Sequence, residues 1–409
     1  MAQANSPRRA PPARARGAMP DAWEIVGGAD KGGILVREGQ DLKSPAAADR
    51  LATGAVVEQV ALVGDRLHYR LQSGAGPQEG WISVKISGKD LAVRKEPPAP
   101  AAAASPAEWS SLRAAAAAAA PVPTRVKEAA PWVRPVFKPV EKARLRLVLF
   151  TWTGNRGGAG SAHDFRKWEK WLAAKNPDTW EVCKVEYPGR GGRVKEPNAA
   201  SAQEVAASVV EALSKAAPLA GTVLFGFSFG AVLAYETAAL LTAKGAAPLG
   251  LVVASAEHPT WADRTKGSGS GKPTKDMDDA SFEAMLRGKG GTDMILNTPG
   301  MKEMFVPVIR ADMVMEESYG AKPPAHEPLP CPVVAFRGKA CPQVARDAAE
   351  PWLDCSAFKG SPPSRVEDLD TKLQPTPEGP WLSDWYLCQG EASAQAMAEA
   401  IASDFGPPQ

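Results

Sequence analysis

Ser228 lies in the pentapeptide Gly226-Phe227-Ser228-Phe229-Gly230, after the apolar run Thr222 to Phe225 and before an apolar helical pattern, Ala231 to Leu241. That order puts the serine on a strand-turn-helix corner. The corner holds it in a strained backbone conformation, and flanking glycines avoid clashes with the neighbouring strand and helix. A serine hydroxyl so presented is a nucleophile only if an adjacent base takes its proton. The base is the missing part: no histidine occurs from Glu327 to Gln409, the stretch that must supply one.

Four histidines remain, His68, His163, His258 and His326. His68 falls in an all-β segment, and His326 precedes a strand at the edge of the sheet opposite the serine. His163 and His258 follow strands at the carboxyl edge, where sites form in parallel sheets. His258 is therefore the substitute base on offer, against the plainer reading of a surface or lid histidine. Glu257, the nearest acid, is a poor orienter because adjacent residues of an extended segment point opposite ways.

The elements that position these residues alternate. Strand patterns at 145–152, 180–186, 222–226 and 249–255 are interleaved with helical patterns at 164–174, 200–215 and 229–244. Alternation of this kind demands a parallel sheet covered by helices. With the serine corner, the fold class is α/β, an α/β-hydrolase over residues 143–409. An insertion at about 259–325, before the strand Pro332 to Phe336, reads as a helical lid. Its last helix carries Met301, Met304, Met313 and Met315, either core filler or an adaptable surface for acyl chains.

Residues 21–95 hold short β-prone runs separated by Gly, Asp and Ser, with a hairpin turn at Gly64-Asp65. The runs at Ile34–Arg37, Thr53–Val57 and Gly80–Ile82 loosely resemble bacterial-type SH3 barrels. Such barrels tether or bind partners; Tyr69 and Trp81 are groove candidates or, more plainly, core. Residues 96–142 are rich in Ala and Pro and read as a linker. Residues 1–20, with four arginines and no acid, read as a disordered basic tail or, less simply, an organellar targeting segment.

Over almost all of 143–409 the ordered motifs resemble the type II (proofreading) thioesterases of polyketide, nonribosomal-peptide and fatty-acid synthesis. They are Arg156–Ala162, the segment Tyr187-Pro188-Gly189-Arg190-Gly191-Gly192-Arg193, the serine corner, Gly290-Gly291-Thr292, Arg310-Ala311-Asp312 with Glu317 and Tyr319, and Leu329–Pro332. The resemblance implies hydrolysis of acyl thioesters, on acyl carrier protein phosphopantetheine arms or on acyl-CoA, through an acyl-Ser228 intermediate. It also implies an oxyanion hole of two backbone N–H groups, one from Phe229 and one from Gly154 or its neighbour Thr153. Three departures stand out. Cys341 occupies the position of the triad aspartate, Ala392 that of the triad histidine, and Phe227 that of a histidine before the serine. Loss of triad members costs about 10⁴- to 10⁶-fold in rate. The alternative function is thus a pseudo-thioesterase that binds acyl chains or carrier proteins.

Composition narrows the remainder. With 48 basic and 46 acidic residues the formal charge is +2, giving no bulk attraction for nucleic acid or anionic lipid. Apolar runs such as Leu145 to Trp152 are far shorter than the roughly 20 residues of a membrane helix. The five cysteines lack the pairing of a zinc site or disulfide framework, which fits a reducing, cytoplasmic setting. No metal or organic cofactor is implied.

Overall fold

A computed structural model describes residues 22–86, 88–95, 105–119, 126–136, 140, 143–154, 158–216, 221–260, 272–289, 292–339, 344–360, 362–370 and 391–407. The chain divides into two compact units, Met1–Ala101 and Ala102–Gln409. The tail 1–20, the Gly/Ser run at 267–271 and Cys341 lie outside the described residues.

The described elements of the first unit are β apart from a 3-10 turn at Ala29–Lys31. Strands β1 (Ala22–Ile25), β2 (Val56–Val63), β3 (Arg66–Ser73), β4 (Glu79–Ser83) and β7 (Ala92–Lys95) form a sheet in the order β4-β3-β2-β1-β7. The short β5 (Lys85–Ile86) and β6 (Lys89–Asp90) pair with each other. Ile34–Arg37, expected as a strand, makes only isolated bridges, to Leu51, Ala46 and Trp81. Tyr69 is core, its hydroxyl donating to the Pro77 carbonyl at 3.0 Å. Trp81 is half-buried, with His68 stacked on its ring at 4.8 Å.

Among its described residues the second unit holds a seven-stranded sheet with helices on both faces. Its elements, in order, are α1 (Pro106–Ala118), β8 (Val133–Pro135), β9 (Leu145–Phe150), α2 (Gly158–Lys175), β10 (Trp180–Val185), α3 (Ala202–Ala216), β11 (Thr222–Phe227), α4 (Phe229–Ala243) and β12 (Gly250–Ala254). There follow α5 (Asp279–Lys289), α6 (Asp293–Asn297), α7 (Met301–Ala321), β13 (Val333–Gly338), α8 (Arg346–Ala349), β14 (Arg365–Leu369) and α9 (Glu391–Phe405). The strand order is β14-β13-β12-β11-β9-β10-β8, parallel throughout except for the edge strand β8. Strands covered on both faces are buried at every position, which is why β9, β11 and β12 read as nearly unbroken apolar runs. One core lies under α3 and α4, with Val205, Val209, Val232 and Leu233; the other lies under α2 and α9, with Phe165, Trp168, Met397 and Phe405.

The linker expected at 96–142 differs over 105–136. Ser105 caps α1 in a reciprocal capping box with Glu108, and Trp109 packs edge-on to Phe358 and Phe405. Arg113 Nε donates to the Gly406 carbonyl at 2.5 Å, and β8 adds a strand beside β10. Ala-rich composition gave no core signal, yet Trp109, Ala116 and Ala117 of the helix are buried and Arg144 donates to the Ala117 carbonyl at 3.1 Å.

In the lid interval, α5, α6 and α7 close around Met277, Phe282, Leu286, Leu296 and Ile309. The methionines of α7 share no single face: Met315 is buried in the α3/α4 core, Met313 packs on the lid cluster, and Met304 is half exposed. Among the described residues no helix is long and apolar enough to cross a membrane.

Candidate active site

Ser228 stands between β11 and α4 at φ 55°, ψ −127°, a conformation that L-residues rarely adopt. Its amide donates to the Ala254 carbonyl at 2.9 Å, and its carbonyl accepts from Ala231 N–H at 2.9 Å, so both ends of the residue are fixed. The glycines follow from contact distances. A methyl group on Gly226 would sit 2.3 Å from Ala231 Cα, and one on Gly230 would sit 2.3 Å from the Phe150 carbonyl oxygen and 2.6 Å from that of Thr151. Phe229 begins α4, so its N–H belongs to the orphan donors of the first turn and points out at the positive end of the helix dipole. Phe227, where the resembled family has histidine, is buried edge-on against Trp152 at 5.7 Å. It furnishes an apolar wall and no proton acceptor.

The end of β9 reaches this corner, since Phe150 and Thr151 abut Gly230. Gly154 has φ 78°, and its N–H donates to Asp312 Oδ2 at 2.7 Å. The Gly154 N–H, one of the two expected oxyanion donors, is thus engaged by a buried carboxylate. Asp312 lies on α7 and pairs bidentately with Arg190, at 2.6 and 2.7 Å, both side chains almost wholly buried. The Arg190 guanidinium also lies 5.2 Å from the centre of the Tyr187 ring, and the Tyr187 hydroxyl donates to the Thr151 carbonyl at 3.3 Å. Burial pushes the Tyr187 phenol well above its usual range, so it stays protonated as a donor. Thr153 Oγ1 donates to Glu316 Oε2 at 3.3 Å, one turn beyond Asp312 on α7. The second arginine of the motif, Arg193, is consumed elsewhere, bonded to Glu196 and the Glu186 carbonyl and stacked over Trp132 at 4.1 Å.

The base candidates fare differently. His258 does not turn its ring to Ser228: Nδ1 faces Thr260 Oγ1 at 2.8 Å, and Nε2 faces Cys355 Sγ at 3.2 Å. Its ring packs on Trp352, which also packs on Tyr235. Tyr235 is seven residues along α4 from the serine, about 10 Å down the helix axis at 1.5 Å per residue. The backbone N–H of His258 donates to the Ala348 carbonyl at 2.9 Å. His326 bonds buried Glu236 at 2.8 Å, and His68 belongs to the first unit. His163 falls within α2. Ala392 opens α9 and is exposed; beside it, Glu391 is ion-paired with Lys167 at 2.8 Å. The hydrogen bond from that lysine lowers the Glu391 pKa, the opposite of what a weak carboxylate base requires. Among the described residues none makes a hydrogen bond to Ser228 Oγ.

The motifs that contain Arg190 and Asp312 do not by themselves disclose that the two residues pair. The signal was there: Val308, Ile309, Asp312 and Met315 share one buried stripe of α7, and an acid on such a stripe requires a buried partner.

The catalytic unit also has relatives. Residues 155–384 match the family model of the thioesterase domain. The thioesterase PikA5 of Streptomyces venezuelae is 32% identical over 224 residues, covering 54% of this chain and 73% of that protein. The medium-chain S-acyl fatty acid synthase thioesterase of Rattus norvegicus is 28% identical, over 53% of this chain and 77% of that protein. Among solved structures, the RedJ thioesterase of the prodiginine pathway in Streptomyces coelicolor superposes with a TM-score of 0.51 at 26% identity, over 66% of this chain and 96% of that one. A strained serine between two sterically required glycines, on a parallel sheet with a helical insertion, agrees with these matches, and the chain belongs to the thioesterase family with an α/β-hydrolase fold.

Proposed function

We propose that the protein acts on acyl thioesters carried by phosphopantetheine arms of carrier proteins in polyketide, nonribosomal-peptide or fatty-acid assembly, as a type II thioesterase, with Ser228 receiving the acyl group. The observation that carries this reading is the backbone of Ser228. A φ of 55° at a non-glycine residue is a conformational cost of about 1–3 kcal/mol that folding alone does not require. The first turn of α4 supplies one oxyanion donor, Phe229 N–H. With Gly154 N–H engaged by Asp312, Thr153 N–H is the second.

In the step so arranged, Ser228 Oγ attacks the thioester carbonyl, the O–C bond forms, and the two amides hold the developing oxyanion. The C–S bond then breaks and the pantetheine thiol leaves with a proton. Mass measurement after mixing the full chain with acylated carrier protein tests this. A shift equal to the acyl group, absent from Ser228→Ala, is expected; no acyl-enzyme and no free acid from any chain length would sink the reading.

One observation favours a second reading. Ala392 stands where the resembled family has its base, and both nitrogens of His258 face other groups. A protein that binds acylated carrier protein without turning it over would be a pseudo-thioesterase. Equal affinity of wild type and Ser228→Ala for acylated carrier protein, with no free acid released by either, identifies that case.

A further inference from the structure

We propose that Asp312 is a positioning residue for the oxyanion hole: a carboxylate on the lid helix α7 takes the Gly154 N–H and thereby leaves the adjoining Thr153 N–H to face the reacting carbonyl. The proposal deepens the thioesterase reading and rests on it for the identity of the acyl donor.

Four observations converge. The Asp312 carboxylate accepts from Arg190 on both oxygens, at 2.6 and 2.7 Å, and its Oδ2 also accepts from Gly154 N–H at 2.7 Å. Gly154 has φ 78°, and a methyl group there would lie 2.5 Å from Ile309 Cγ1, so α7 packs directly on the turn that the carboxylate grips. Glu316, one turn along the same helix, accepts from the Thr153 hydroxyl at 3.3 Å and so fixes the side chain of the residue whose amide is in question. The strand end leading into this loop lies against Gly230, two residues past Ser228. Amides of consecutive residues in a tight turn point in different directions, so a buried acceptor that captures one fixes the direction of the other. The acceptor comes from the lid, so the hole is complete only when α7 is seated, and seating is sealed by a buried charge pair.

The Arg190–Asp312 pair has two separable parts, a charge balance and an acceptor for Gly154. Replacing a buried ion pair by an uncharged pair of similar volume avoids leaving one charge unpaired. Arg190→Gln/Asp312→Asn keeps an oxygen acceptor for Gly154, whereas Arg190→Met/Asp312→Leu removes it, and neither buries a charge. Asp312→Ala is the single-site comparison.

The assay is single-turnover acylation of the full chain by a p-nitrophenyl acyl ester with imidazole added as base. Ser228 Oγ bonds to the ester carbonyl carbon, p-nitrophenolate leaves, and the serine proton passes to imidazole. Varying the ester concentration separates the limiting acylation rate from the apparent affinity. Arg190→Met/Asp312→Leu and Asp312→Ala are expected to lose about 10- to 100-fold in the limiting rate with affinity within about twofold of wild type, as for impaired oxyanion stabilisation. Arg190→Gln/Asp312→Asn is expected to recover most of that loss. If Asp312→Ala does not fold, the two uncharged pairs alone carry the comparison. Equal rates in the two double variants, a loss confined to affinity, or a wild type that the ester fails to acylate would each overturn the assignment. Failure of the thioesterase reading looks different: a wild type acylated by the ester but inert to every carrier-protein thioester.

Discussion

At the scale of single residues, the serine corner is a device whose strain and chemistry can be measured separately. Ser228 holds a positive φ with both its amide and its carbonyl bonded, and a β-carbon is what makes that conformation costly. Ser228→Gly is therefore expected to stabilise the catalytic unit by about 1 kcal/mol, relief of strain exceeding the entropy that glycine adds to the unfolded chain. Urea unfolding midpoints decide it; a destabilised Ser228→Gly would mean that the corner is not strained. Gly230→Ala is expected to go the other way by several kcal/mol, because a methyl group meets two backbone carbonyl oxygens within 2.6 Å. The missing base allows a gain-of-function test. If Cys341 and Ala392 stand where the resemblance puts them, the double change Cys341→Asp/Ala392→His should raise thioester hydrolysis by about 10²- to 10⁴-fold. An unchanged rate would remove those two positions from the site.

At the scale of elements, α1 and β8 make the catalytic unit larger than the motifs that define it. Trp109 is nearly buried between Phe358 and Phe405, the latter on α9, which packs on α2. Trp109→Ala is expected to cost about 3 kcal/mol or more, and a chain starting at residue 143 should melt well below one starting at 102. Equal melting temperatures would show that residues 102–142 are dispensable packing. This boundary also marks where sequence reading stopped. Strands β9, β10, β11 and β12 and helices α3 and α4 were legible to within a residue or two, because burial on two faces or on one stripe forces apolar periodicity. Helix α1 was not, since alanine shows no amphipathic contrast; its capping box, Ser105 with Glu108, was the available signal. Strand β8 is three residues long and contains Pro135, too short for alternation to register. At the site, Ser228 and Phe229 were legible from the glycine pattern, whereas the direction of one amide in the Thr153-Gly154 turn depends on a carboxylate 158 residues away. No local spacing encodes that bond. His258 shows the same limit: its place after β12 is legible, whereas Cys355 and Trp352, distant in sequence, are the groups its ring meets.

For the whole molecule, buried acids of weak ionisation make alkaline pH the informative stress, and the two units should respond at different points. In the catalytic unit, burial pushes the Cys331 and Cys355 thiols up to about 12 from an ordinary 9, and raises Cys183 as well. In the β unit, burial pushes Tyr69 up to about 12 from an ordinary 10. A group whose folded pKa is raised contributes stability that is complete below its unfolded pKa and is lost as pH climbs toward the folded value. The thiol contribution is therefore intact below pH 9 and erodes between about 9 and 12, with each fully titrating group adding a slope of up to about 1.4 kcal/mol per pH unit. The Tyr69 contribution begins to erode a unit later. Urea unfolding at closely spaced pH values from 8 to 11 should accordingly show the catalytic unit weakening first, and Cys331→Ala/Cys355→Ala should lose some baseline stability to cavities yet weaken less steeply above pH 9. Parallel slopes for wild type and the double variant between pH 9 and 10 would place the alkaline sensitivity elsewhere, in the buried Cys183 thiol that the double variant keeps, because the raised phenols of Tyr187 and Tyr235 begin to erode stability only above pH 10.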